Sequence, residues 1–154
     1  MAEAKAYQPY APNAQGFTEA LIDLKSTIST TPAPAVVGIQ REVFENVTQG
    51  DALYLRASDG KVGRAVANDT FDKANVIGFA KTTKATGTIV DVLINGILAT
   101  SGLDAGDVYY LSAASPGAIT PTAPSAAGNF LTRVGEAASS AELCIQTEPP
   151  IQLR

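Results

Sequence analysis

Histidine and tryptophan are absent from the 154-residue chain, cysteine and methionine occur once each, and no run of Lys or Arg is present. Without histidine the commonest general base and metal ligand is missing. One cysteine and no histidine exclude zinc sites and Cys-His or Ser-His-Asp arrangements. No Gly-rich phosphate loop of the GxGxxG or GxxxxGK[ST] kind occurs. The lone Cys144 has no internal disulfide partner, and the alternating run Glu142-Leu143-Cys144-Ile145 assigns it to a small buried apolar position.

Charge is scarce as well. Charged residues make up 17% of the chain, 15 acidic against 11 basic, for a net charge of −4. Binding phosphate backbones takes clustered cations, so no nucleic-acid partner is expected. The first fifteen residues lack the basic and apolar regions of a signal peptide, and no apolar run approaches the ~20 residues that span a bilayer. No membrane partner is expected, and synthesis in a cytoplasm is. No cofactor is called for by any motif.

What the chain does contain is Ala, Thr, Ser, Gly and β-branched residues, with 45% apolar residues in all. Residues 1–16 carry Pro9, Pro12 and Gly16 among Tyr7 and Tyr10 with no helical or strand period, which predicts an extended arm. Apolar groups at Phe17, Ala20, Leu21, Leu24 and Ile28 follow a helix face, which predicts a short helix over 17–28. The Ser29-Thr30-Thr31-Pro32-Ala33-Pro34 stretch closes residues 1–34 as a stiff linker. Large rings in such an arm favour burial at contacts, so Tyr7, Tyr10, Phe17, Leu21 and Leu24 are the candidate contact residues.

From residue 35 to 154 the pattern is a β domain. Strands are expected near 36–44, 51–56, 61–66, 75–81, 88–94, 96–99, 107–112, 117–121, 130–137 and 141–147. Asp59-Gly60, Thr86-Gly87, Asn95-Gly96, Ser101-Gly102 and Pro116-Gly117 punctuate them as turns. Asn95-Gly96 between Val92-Leu93-Ile94 and Ile97-Leu98 reads as a type I′ hairpin.

The domain repeats itself after about 56 residues. Gly50-Asp51-Ala52-Leu53-Tyr54-Leu55 returns as Gly106-Asp107-Val108-Tyr109-Tyr110-Leu111, and Gly60-Lys61-Val62 as Gly117-Ala118-Ile119. Val76-Ile77-Gly78-Phe79-Ala80 returns as Arg133-Val134-Gly135-Glu136-Ala137, and Val90-Asp91-Val92-Leu93-Ile94 as Ala141-Glu142-Leu143-Cys144-Ile145. Two β-meander units, about 47–98 and 103–154, would close into one small β-barrel or pack as a β-sandwich. Gly78 and Gly135, inside strand-like runs, mark corners of the sheet.

Two local patterns carry possible chemistry. Asn68-Asp69-Thr70-Phe71-Asp72 offers oxygen ligands for calcium, but an EF-hand loop needs glycine where Ala74 stands, which favours an ordinary polar turn. Asp72-Lys73-Ala74 resembles the hairpin tip that carries lipoate or biotin in swinging-arm domains, which would make Lys73 a modification site. The second repeat has Ala126-Ala127-Gly128-Asn129 there, and the chain is nearly twice carrier length.

Residues 36–154 resemble the small β domains of tailed-bacteriophage capsid decoration (cement) proteins. The matching features are Gly-Asp-x-x-Tyr-Leu, Asp59-Gly60-Lys61-Val62, Val76-Ile77-Gly78-Phe79-Ala80, Val134-Gly135-Glu136-Ala137 and the closing Pro149-Pro150-Ile151-Gln152-Leu153. The resemblance implies a non-enzymatic virion protein, a homotrimer on the outer surface of the major capsid protein shell. Related modules in tail fibres and baseplates leave a receptor- or glycan-binding role as the alternative. The lack of tryptophan speaks against sugar stacking.

Overall fold

Gly50 and Gly106 open the two repeats with the same backbone angle, φ 89° in each, a left-handed turn that glycine enters without strain. The computed structural model describes residues 38–154, and the contact residues named from sequence, Tyr7, Tyr10, Phe17, Leu21 and Leu24, lie outside them. The described chain is mainly β. Its first half holds β1 (Gly38–Glu42), β2 (Ala52–Leu55), β3 (Val62–Arg64), α1 (Phe71–Ala74), β4 (Val76–Ala80) and β5 (Ile89–Leu93). The second half holds β6 (Gly96–Ala99), β7 (Val108–Leu111), β8 (Ile119–Thr120), β9 (Phe130–Leu131), β10 (Arg133–Ser139), β11 (Glu142–Ile145) and β12 (Ile151–Gln152).

The strands form two five-stranded antiparallel sheets, ordered β1-β5-β4-β2-β3 and β6-β11-β10-β7-β8, with β12 and β9 as a separate pair. The two orders are the same order, position by position. The repeat therefore extends beyond sequence to topology. It also reaches individual hydrogen bonds. Gly50 N–H donates to Ala80 O and Gly106 N–H to Ala137 O, each at 2.8 Å. Ala80 N–H returns to Asp51 O and Ala137 N–H to Asp107 O, each at 2.9 Å. Even the irregularity is shared, since the β2–β4 register slips past Ile77 and the β7–β10 register past Val134.

Three expectations need correction. The barrel alternative fails, because neither sheet closes; the edges of the first meet only at the isolated parallel bridge Val43↔Val62. Asn95-Gly96 does not make a hairpin, because β5 and β6 lie in different sheets. The side of β5 that β6 would need is taken by β1, and β6 instead sets Leu98 against Leu143 of β11. The first unit consequently begins at β1 and ends at β5, and β6 opens the second. Finally, the expected 130–137 strand is two strands. Fully buried Thr132 interrupts it, donating its hydroxyl to Ala74 O at 2.9 Å.

Buried apolar side chains of the strands gather in two clusters. The larger joins Ala52, Tyr54, Phe79 and Leu93 of the first sheet to Leu111, Phe130, Leu143 and Ile145 of the second half. The smaller, Val43, Val47, Leu53, Val62, Ala80, Val90 and Val92, lies wholly within the first unit. Strand β2 is thus covered on both faces, with Leu53 in one cluster and Ala52 and Tyr54 in the other.

Candidate functional site

The repeat permits a comparison within one molecule. Across the first sheet, Gly38, Leu93, Phe79 and Ala52 stand side by side on β1, β5, β4 and β2. The equivalent row on β6, β11, β10 and β7 is Ile97, Cys144, Glu136 and Val108. Phe79 is 0% exposed and Leu93 is buried in the shared core. Their counterparts are open: Glu136 is exposed, Cys144 half-buried and Ile97 49% exposed. One copy of the row is an internal interface, and the other is surface.

Cys144 is therefore not the buried apolar residue expected. Strand alternation gives the inward positions to Leu143 and Ile145 and turns Cys144 toward the open side. Charge follows the same division. Arg133 stands where the first unit has buried Val76, and its guanidinium reaches Glu136 at 3.5 Å, Glu148 at 3.3 Å and the Gln146 amide oxygen at 3.2 Å. Glu142 accepts a bond from Ser139 Oγ at 3.4 Å and meets no cation among the described residues. Among the described residues the open face carries three carboxylates, Glu136, Glu142 and Glu148, against the one guanidinium of Arg133.

A cleft of about 390 Å³ is lined by Phe44, Glu45, Tyr54, Arg64, Asp69 and Lys73 of the first unit with Ala114 and Pro116 of the second. Its charges are paired internally: Arg64 with Glu45 at 3.2 Å, Lys73 with Asp69 at 2.5 Å. Arg56 lies over the Phe44 ring, 3.9 Å from its centre, while its guanidinium holds Asp59. Phe44 and Tyr54 meet edge to face at 5.9 Å. Loss of solvent raises the Tyr54 phenol above its ordinary value, and the Asp69 carboxylate raises the Lys73 ammonium.

The Asp-Lys-Ala pattern does not stand at a hairpin tip. Lys73 belongs to α1, a single helical turn whose N-cap Thr70 accepts from Lys73 N–H at 3.4 Å. In the Asn68–Asp72 segment Asp69 is occupied by Lys73 and Thr70 by the cap, so these oxygens serve a polar turn. Among the described residues no three acidic or cysteine side chains converge on a point where a metal ion could sit. Tyr54 and Tyr109 are buried in the core and Tyr110 is half-buried. Tyr109 also accepts from Asp104 N–H at 2.9 Å.

The open row was invisible to motif reading, because Ile97, Cys144 and Glu136 form no pattern along the chain. The signal for it lies in the repeat alignment, where charged Glu136 stands opposite apolar Phe79. No protein-family model matches the chain, and no curated protein matches it.

Proposed function

We propose that the chain is a non-enzymatic virion structural subunit, a decoration protein that binds the outer surface of a major capsid protein shell and stabilises it. The observation that carries this reading is the doubling itself. One repeat is spent on an internal interface and the other leaves the equivalent row uncovered among the described residues, so the body presents an outward face, and no catalytic constellation stands among those residues. A shell-binding subunit needs a rigid body and several modest contacts rather than an active site. The sequence resemblance to cement proteins adds the homotrimer, with residues 1–34 contacting neighbours. Three linked copies multiply weak contacts through effective concentration.

The test is sedimentation of purified protein, alone and with shells that lack it. A trimer that co-sediments with shells supports the proposal. A monomer that stays in the supernatant overturns it, and a mass adduct on Lys73 would then favour a carrier domain despite the helical setting of that lysine.

A further inference from the structure

Two open five-stranded sheets have four edges, and an edge left bare is a template for another strand. Three of the four are guarded. At β1, Arg41 folds back so that Nη1 donates to Gln40 O at 2.8 Å. At β3, Phe44 N–H donates to Val62 O at 3.1 Å, so the chain itself covers the edge. Strand β8 has two residues and is followed by Pro121. Strand β6, Gly96-Ile97-Leu98-Ala99, has no charge, no proline and no bulge.

The register shows which β6 groups face outward. Thr100 N–H donates to Ala141 O at 2.9 Å, continuing the β6–β11 ladder. Gln146 N–H donates to Val134 O at 3.0 Å, continuing the β10–β11 ladder on the other side of β11. Alternation from either bond gives the same result: Leu143 and Ile145 bond toward β6, through Leu98 and Gly96. The N–H and C=O groups of Ile97 and Ala99 therefore point away from the sheet. They make no other backbone bond among the described residues.

We infer that β6 accepts an extended strand of a partner protein in which basic and apolar residues alternate. Hydrogen bonds to Ile97 and Ala99 supply the pairing, and side chains on either side supply the selection. On the inner side the added residue lies beside buried Leu98, which calls for an apolar group. On the outer side its neighbours lie beside Ile97 and Ala99, in the rows of Cys144 and Glu136 and of Glu142. A Lys or Arg opposite Ala99 is two strand spacings from Glu142, roughly 10 Å between backbones, and can extend over the small alanine to that carboxylate. The acidic excess of this face also argues against a second copy of β6 as the occupant, since it would bring the same carboxylates to the seam. The inference stands apart from the shell reading, which co-sedimentation tests without reference to β6.

The experiment is amide hydrogen exchange on the full ¹⁵N-labelled chain, titrated with a capped octapeptide of alternating Lys and Val. The alternating Glu and Val octapeptide is the comparator. The Lys peptide is expected to slow exchange at Ile97 and Ala99 by tenfold or more, saturably, and the Glu peptide to leave it unchanged. Glu142→Gln should weaken the Lys peptide about threefold, the effect of losing one exposed ion pair. Ile97→Pro, which removes one of the two outward amides, should abolish protection at the remaining one, Ala99, and the Glu142→Gln result decides where that variant does not fold. Equal protection by both peptides, or none by the Lys peptide, overturns the inference. So does slow exchange at both amides before peptide is added, which marks an edge already covered: by a second copy where dilution releases it, by this chain where it does not.

Discussion

Gly78 and Gly135 hold the same corner of the two sheets. A Cβ on Gly78 would lie 2.4 Å from Leu93 O, and one on Gly135 would lie 2.3 Å from Cys144 O. Both carbonyls belong to the neighbouring strand, so the strands approach at a distance only glycine permits. The close approach sits next to the shared register slip, which ties the repeated glycine to the repeated bend.

Gly78→Ala and Gly135→Ala should therefore each destabilise the β body by about 2–3 kcal/mol, the cost of forcing backbone apart in a packed sheet. Gly87→Ala is the control. Its Cβ would meet nothing within 4 Å, but its φ is +80°, so only the left-handed penalty of about 1 kcal/mol applies. Urea unfolding of the three variants checks the order, and equal losses would remove the steric account.

The equivalence of Phe79 and Glu136 gives a second expectation. Phe79→Ala should cost about 3–5 kcal/mol, because the ring is fully buried between the sheets. Glu136→Ala, at the same position of the other repeat, should change stability by less than about 0.5 kcal/mol. Thermal unfolding of both variants measures the contrast. A large loss at Glu136 would mean that its pairing with Arg133 holds the second sheet together.

Much of this body was legible in the sequence, because strand alternation and turn glycines are local signals. All ten expected strands have counterparts, and the repeat reappears in strand order and hydrogen bonds. Misreadings came where partners distant in sequence decide. Asn95-Gly96 has the local chemistry of a hairpin, yet β1, some fifty residues earlier, occupies the side of β5 that β6 would need. Cys144 looked buried because its run alternates, but which half of the alternation faces inward is set by the packing of β11 on its neighbours. Strand β12 and α1 are too short to show a period. The open row required comparing Phe79 with Glu136 across the repeat, which no single motif does.

Two aspartates should respond to acid in opposite senses. Partial burial raises the Asp51 carboxyl above its usual range, against the pull of the Thr48 N–H bond. A carboxyl raised in the folded state favours folding while protonated, so its contribution is full below the unfolded value near 3.8 and is lost as pH rises through the folded value. Asp51→Asn keeps an acceptor for Thr48 N–H and removes that loss. The variant should be at least as stable as the parent at pH 7, with any advantage gone near pH 3. Asp59 is the reverse case: the Arg56 guanidinium lowers it to about 2, so its contribution is present above 3.8 and fades as pH falls toward 2. Carboxyl NMR titration should find Asp59 near that value and return it to the ordinary range in Arg56→Gln.

Removal of residues 1–16 tests the other half of the proposed function. The segment carries Tyr7 and Tyr10 among prolines, rings that would be wasted in a stretch making no contacts. Among the described residues the buried members of the two clusters begin at Val43, with Ile39 packed against the smaller, so the truncated chain is expected to unfold at the parent temperature. Its binding to shells should fall by more than one arm's worth, because three arms in a trimer act together. If each arm contributes about threefold, the trimer loses up to roughly thirtyfold on the effective-concentration argument. Isotherms of truncated and full-length protein on the same shells give that ratio. Unchanged binding with an unchanged trimer would move the contact from the arm to the β body, where the open row of Ile97, Cys144, Glu136 and Val108 is the next surface to substitute.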